Sequence, residues 1–299
     1  MPTLRAAFIL AIFLLATLAG IPVQWVSLRL KLKLRRTYPH AYHRFLCKLF
    51  GIRITVIGKS IRDRGVLMVA NHSGYFDILV MSATVPVSFV AKSEVAGWPF
   101  IGLMTRLQEG VFVERERRSQ TSKSRDELRR RLRDGDAIVL FPEGTSTDGN
   151  RVLAFKSALM GAVESEVGID ADGQVQHVPV QPVSISYVGL HGMPIGRENR
   201  PLVTWYGDMD LIPHVWEAMK AGPRDVVVEF HRPMSVDSAG NRKRIAALAE
   251  AAVRAGQRRA LNGYGVRPAP EAKKTGPETA AETPGLLEFA LPIADKNRP

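Results

Sequence analysis

Val66-Leu67-Met68-Val69-Ala70-Asn71-His72-Ser73-Gly74-Tyr75-Phe76-Asp77 is the stretch that decides how this chain is read. Five apolar residues in succession have the length and composition of a strand buried on both faces. The run stops at Asn71, and a new periodic segment starts near Asp77. The expected order is therefore strand, turn, helix. His72 and Asp77 are five residues apart, and within one helix they would diverge by ~140°. His72 is accordingly expected in the turn, with Asp77 in the first helical turn, where a carboxylate is favoured. Taken alone, the pair has two readings. One is a histidine bonded to a backbone carbonyl beside a helix-capping acid. The other is a dyad in which the carboxylate fixes the imidazole tautomer and stabilises its charged form. Without further signals the first is the better one.

The same alternation continues outward. Residues 37–57 read as an amphipathic helix followed by a short strand from Arg53 to Ile57. Further strands are expected at Val66–Ala70, Val87–Ala91, Val111–Glu114, Ala137–Phe141, His177–Ser186, Val203–Gly207 and Asp225–His231. Helices are expected at Asp77–Thr84, Ser119–Arg133, Lys156–Ser165, Ile212–Ala221 and Arg242–Leu261. Short apolar strands alternating with helices predict an α/β fold, a mixed central sheet flanked by helices. Three regions follow: an anchor with a basic juxtamembrane segment (1–36), a main domain (37–265), and a tail (266–299). The tail is rich in Pro, Ala, Glu and Lys with little periodicity, and is expected to be disordered.

Ala6 to Leu28 carries no charged residue. At ~1.5 Å per residue it can cross a hydrocarbon core of ~30 Å, which predicts an N-terminal membrane helix. Arg29, Lys31, Lys33, Arg35 and Arg36 follow it, so the main domain is expected on the cytoplasmic side of the inner membrane. Pro22 and Gln24 interrupt the second half, leaving an anchor lying in the plane of the leaflet as the alternative.

A net charge of +12 over 299 residues calls for an anionic partner. The stretch 115–133 holds nine Lys or Arg against three acids, suited to anionic head groups or an acidic carrier protein. No base-stacking aromatic motif of the RNA-binding kind is present, so nucleic acid is not expected. Cys47 is the sole cysteine, which excludes a disulfide scaffold; its amphipathic setting predicts a packed thiol. The histidines lack paired ligand spacing, and no metal is expected.

A second motif changes the weighting of the first. The apolar run Ala137–Phe141 leads into Pro142-Glu143-Gly144-Thr145-Ser146, a tight turn with one carboxylate. Two motifs in this order, each ending a strand, resemble the glycerolipid acyltransferase family. Asn71–Asp77 resembles its His-x4-Asp block, and Gly110-Val111-Phe112-Val113-Glu114-Arg115 its second block. Phe141–Thr145 resembles the third, and Val178-Pro179-Val180-Gln181-Pro182-Val183 the fourth. The resemblance covers residues 40–232.

The resemblance implies transfer of an acyl group from a thioester, acyl-carrier protein or acyl-CoA, to a lysolipid hydroxyl, with no further cofactor. It implies that His72 takes the hydroxyl proton and that Asp77 orients His72. It assigns Arg115 to a substrate phosphate, Glu143, Gly144 and Thr145 to the acceptor, and Lys156 to further anion binding. The implied acceptor is 1-acylglycerol 3-phosphate. Two departures weigh against that acceptor: Ser146 stands where many phosphatidate-forming members carry arginine, and Phe155-Lys156-Ser157-Ala158 has a single basic residue. Thr204–Asp210 and Ile212–Trp216 also look like bacterial lyso-ornithine-lipid acyltransferases, whose acceptor has no phosphate. That acceptor is the alternative. From another class, a non-catalytic basic binding protein would share the charge but not both motifs; a further enzyme alternative is a thioesterase, in which water replaces the alcohol.

Overall fold

The computed structural model describes residues 2–113, 118–164, 166–169, 173 and 175–263. Helices α1 (Pro2–Arg29) and α2 (Leu34–Leu49) lead to strand β1 (Ile52–Ile57). Next come β2 (Val66–Ala70), α3 (Phe76–Thr84), β3 (Ser88–Lys92), α4 (Ile101–Leu107), β4 (Val111–Val113), α5 (Arg118–Arg133) and β5 (Ala137–Leu140). A 3-10 segment (Ser157–Glu164) precedes the hairpin β6 (Glu166–Ile169) and β7 (Val175–His177). Then follow β8 (Val180–Leu190), β9 (Met193–Pro194), α6 (Leu211–Ala221), β10 (Arg224–Phe230), α7 (Val236–Ala239) and α8 (Arg242–Leu261).

Strand β2 sits where its sequence demands. All five of its residues are buried, between β8 and β5. Val66, Met68 and Ala70 face one apolar layer with Leu46 of α2, Val80 and Met81 of α3 and Met219 of α6. Leu67 and Val69 face the other, with Leu128 and Leu132 of α5 and Ala249 and Val253 of α8. Burial on both faces is why the run is continuous rather than alternating. Among the described residues the sheet order is β1-β10-β8-β2-β5-β3-β4, with β9 paired to β8. Strands β8, β2, β5, β3 and β4 are parallel, and β10 runs against β8. The sheet is mixed, as expected. The parallel set brings the C-terminal ends of β2 and β5, and the motifs that follow them, to one edge.

Three sequence expectations fail. Val203–Gly207 is not a strand. Val203 closes a 3-10 segment (Arg197–Leu202), and Trp205 gives its N–H to Ser73 O at 2.7 Å instead of to a ladder. The helix expected at Lys156–Ser165 is replaced over its described residues by the 3-10 segment Ser157–Glu164, with a kink at Met160. The single strand expected at His177–Ser186 is two strands interrupted at Pro179, and the second extends to Leu190. Helix α4 and the β6–β7 hairpin were not anticipated. The tail expected at 266–299 lies outside the described residues.

Helix α1 is docked along its length. Its buried positions, Ala6, Ile9, Thr17, Gly20, Gln24 and Ser27, recur at helical spacing. Thr17 shares a hydrogen bond with the Tyr42 hydroxyl at 2.5 Å. Gln24 Nε2 donates to Leu107 O at 2.7 Å and to Arg35 O at 2.9 Å. Phe8, Leu15, Leu18 and Trp25 remain exposed on the outer face. The basic helix α5 is only partly a solvated surface. Arg131 is buried, pairs with Asp136 at 2.8 Å and donates to Ser88 Oγ at 2.8 Å, so it belongs to the fold.

Candidate active site

The site is built on the end of β2. Asn71 turns inward and exchanges two hydrogen bonds with Ile185 of β8, both 2.8 Å. That fixes where the strand stops. The next residue, His72, is held through its backbone. Its N–H donates to Glu143 Oε1 at 3.2 Å, and its carbonyl accepts Thr147 N–H at 2.9 Å. The turn then needs Gly74, whose φ of +145° is foreign to L-residues. A Cβ there would lie 2.8 Å from Trp205 N.

Asp77 falls in the first turn of α3 and is fully buried. Its Oδ2 accepts the N–H of Ser73 at 2.5 Å and of Gly74 at 3.1 Å. The same oxygen lies 2.8 Å from His72 Nδ1. An oxygen already taking two N–H donors is a carboxylate acceptor, so Nδ1 carries the proton. Nε2 is then the unprotonated nitrogen. The His72 ring stacks on Phe141 with centroids 4.1 Å apart, which leaves its side chain 23% exposed. A histidine held this way can accept a proton from a hydroxyl brought to its open side.

Glu143 closes the other flank. It is 1% exposed, and its Oε2 has no hydrogen-bond partner of normal geometry. Burial pushes its carboxyl up to about 8, against the N–H groups of Leu153 and His72, which pull it down. A carboxyl raised above its unfolded value of 4.5 holds a proton that the unfolded chain releases. Stability contributed by this group is therefore complete below that value and lost as pH rises to about 8. The slope approaches ~1.4 kcal/mol per pH unit. Denaturant midpoints of Glu143→Gln and the native chain at about pH 5 and about pH 7.5 test it. Glu143→Gln should flatten the fall; an equal fall in both proteins would assign the slope elsewhere.

The other sequence candidates stand around this core. Gly144 has a φ of +77° and gives its N–H to Phe141 O at 3.2 Å, which makes the turn. Thr145 is exposed. Lys156 is exposed too, and its N–H donates to Pro142 O at 2.9 Å, so it adjoins the same turn. Arg115 lies outside the described residues. The structure thus brings His72, Asp77, Glu143 and Gly144 together, with Thr145 and Lys156 at the rim. Among the described residues no three His, Cys, Asp or Glu side chains converge as a metal site requires.

Two participants were missed from sequence. Thr147 holds the His72 carbonyl through both its N–H and its Oγ1, the latter at 3.3 Å. Tyr187 donates its hydroxyl to Asp77 Oδ1 at 2.8 Å. The second was discoverable. Val183, Ile185 and Tyr187 share one face of β8, so the alternation itself aims the tyrosine at the layer containing α3.

Comparison with known proteins bears on this arrangement. An acyltransferase family model matches residues 53–186. The lyso-ornithine lipid O-acyltransferase of Brucella abortus is 44% identical over 270 residues, covering 90% of this chain and 99% of that protein. The chain belongs to the acyltransferase family. The Rhizobium meliloti lyso-ornithine lipid O-acyltransferase is also 44% identical, over 82% of each chain. The crystal structure of the 1-acyl-sn-glycerophosphate acyltransferase of Thermotoga maritima superposes with a TM-score of 0.59. It covers 86% of this chain and 97% of that one at 23% identity, which speaks for the fold. This acyltransferase therefore carries the mixed α/β architecture of its family.

Proposed function

We propose that the enzyme transfers a fatty acyl group from a thioester, acyl-carrier protein or acyl-CoA, to the free hydroxyl of lyso-ornithine lipid. The observation carrying this acceptor is the 44% identity to the Brucella enzyme over nearly its whole length. Ser146, where phosphatidate-forming relatives often place arginine, points the same way. The sequence alone put 1-acylglycerol 3-phosphate first; the identity to lyso-ornithine lipid acyltransferases supports the other acceptor.

In this reading His72 Nε2 takes the acceptor's hydroxyl proton as the oxygen attacks the thioester carbonyl. Asp77 keeps the imidazole oriented and stabilises the imidazolium that forms. The tetrahedral intermediate collapses with loss of the thiolate, which takes the proton back from His72. The new ester is left on the acceptor. Glu143 and Gly144 shape the acceptor side, and Thr145 and Lys156 lie at its entrance. Arg115 is kept as an anion-binding residue on its place in the second block. The substrate is a membrane lipid, and α1 supports docking to the cytoplasmic face of the inner membrane. A helix bound along its length to the domain fits an anchor lying in the leaflet better than a helix leaving the body to span it.

One assay separates the acceptors. Purified enzyme given labelled acyl thioester with lyso-ornithine lipid and lysophosphatidate in competition should acylate lyso-ornithine lipid preferentially. Transfer to lysophosphatidate alone would overturn the acceptor assigned here. Labelled free fatty acid as the sole product would overturn transfer itself.

A further inference from the structure

We propose that Tyr187 is a positioning residue of the reaction, locking the Asp77 carboxylate so that its other oxygen presents a fixed acceptor to His72. The inference rests on the assignment of His72 and Asp77 above. Its basis is the division of labour on one buried carboxylate. Three donors converge on Oδ2: the N–H groups of Ser73 and Gly74 and Nδ1 of His72. Among the described residues Oδ1 has one hydrogen bond, from the Tyr187 hydroxyl at 2.8 Å. Asp77 is 0% exposed, so bulk solvent does not reach that oxygen. Without the Tyr187 donor, Oδ1 would be a buried, unpaired charged oxygen, and any turn of the carboxylate to repartner it would carry Oδ2 away from His72 Nδ1. With Oδ1 satisfied that drive is absent, and the imidazole keeps its orientation.

Tyr187 is itself well placed for the task. It is 4% exposed on a central strand, in register with Val226 of β10. Burial, with the Asp77 charge beside it, pushes its phenol well above the ordinary range, so the hydroxyl keeps the proton it donates. Other titratable or charged groups face this cluster from the elements packed around it. Arg224 of β10 and Cys47 of α2 face Tyr187, and Glu143 after β5 faces Asp77. Arg224 is fully buried, with its guanidinium over the Phe76 ring at 4.4 Å and two hydrogen bonds to the carbonyls of Ala218 and Gly222. It serves the end of α6 and donates nothing to Asp77. The hydroxyl of Tyr187 is thus the donor that reaches Oδ1.

The test is Tyr187→Phe, which keeps the ring and its packing. Transfer should fall about tenfold in kcat with acceptor KM within about twofold, the signature of a group that acts on the transition state through another residue. A loss confined to thermal stability, with kcat unchanged, would overturn the proposal. So would a loss that appears in KM alone. The underlying dyad is checked in parallel with His72→Ala. If that variant stays active, the dyad fails. If it is inactive while Tyr187→Phe is indistinguishable from the native chain, the dyad stands and the positioning role falls.

Discussion

Purified His72→Ala is expected to fold normally and to lose at least about a thousandfold in acyl transfer. The two halves of this expectation have separate causes. The fold survives because His72 is anchored by its backbone. Its N–H bonds Glu143 and its carbonyl bonds Thr147, and neither bond involves the ring. Asp77 retains the N–H groups of Ser73 and Gly74 and the Tyr187 hydroxyl, so no buried carboxylate oxygen is orphaned. What stability loses is mainly the stacking on Phe141, worth ~1 kcal/mol. The rate falls because an alcohol is a weak nucleophile unless its proton leaves as it attacks, and general-base assistance contributes roughly 10²–10⁴. The orientation of that base is lost with it. Transfer of labelled acyl chains beside a thermal unfolding curve checks both halves. Activity within tenfold of the native enzyme would remove His72 from the chemistry. A collapsed unfolding transition would show that the ring is structural.

The architecture was legible in the sequence wherever local pattern and tertiary burial agree. Val66–Ala70 and Ala137–Leu140 are short apolar runs buried between neighbours, and both are strands. Asp77 stands in the first turn of its helix, as the five-residue spacing required. The pattern failed where hydrogen bonds are spent on the site rather than on regular structure. Val203–Gly207 is β-branched and aromatic, which suits a strand, but its backbone is used to grip the Ser73 loop. The region after Phe155 is apolar enough for a helix, yet Phe155 N–H is taken by Glu250 of α8 and the chain enters a 3-10 turn. These departures fall near the two motifs, where the chain serves the site rather than its own propensity. Tyr187 shows its face in the alternation of β8, but its pairing with Asp77 depends on β8 lying beside β2, and strand order is not written in any single segment.

Asp77→Asn and Asp77→Ala should part company, and the difference isolates what the charge does. The asparagine amide is nearly isosteric with the carboxylate. The N–H groups of Ser73 and Gly74 select its oxygen for the Oδ2 position, so its NH₂ takes the Oδ1 position and can donate to the Tyr187 oxygen. The asparagine oxygen still accepts His72 Nδ1–H, which keeps the tautomer that leaves Nε2 free. Geometry is then conserved, and the imidazolium formed during attack loses its counter-charge. A charge-assisted bond is worth about 1.5–3 kcal/mol against about 0.5–1.5 for a neutral one, a difference of ~1–1.5 kcal/mol, which is roughly five- to tenfold in rate. Asp77→Asn should show that fall in kcat with an unchanged unfolding midpoint. Asp77→Ala should be worse on both axes. It leaves two buried backbone N–H groups and the buried Tyr187 hydroxyl without their acceptor, at about 1–3 kcal/mol for each. Steady-state kinetics with chemical denaturation of both variants decides the matter. If Asp77→Asn is as slow and as unstable as Asp77→Ala, the side chain acts through its fold-holding bonds. If Asp77→Asn matches the native rate, the negative charge has no part in the reaction.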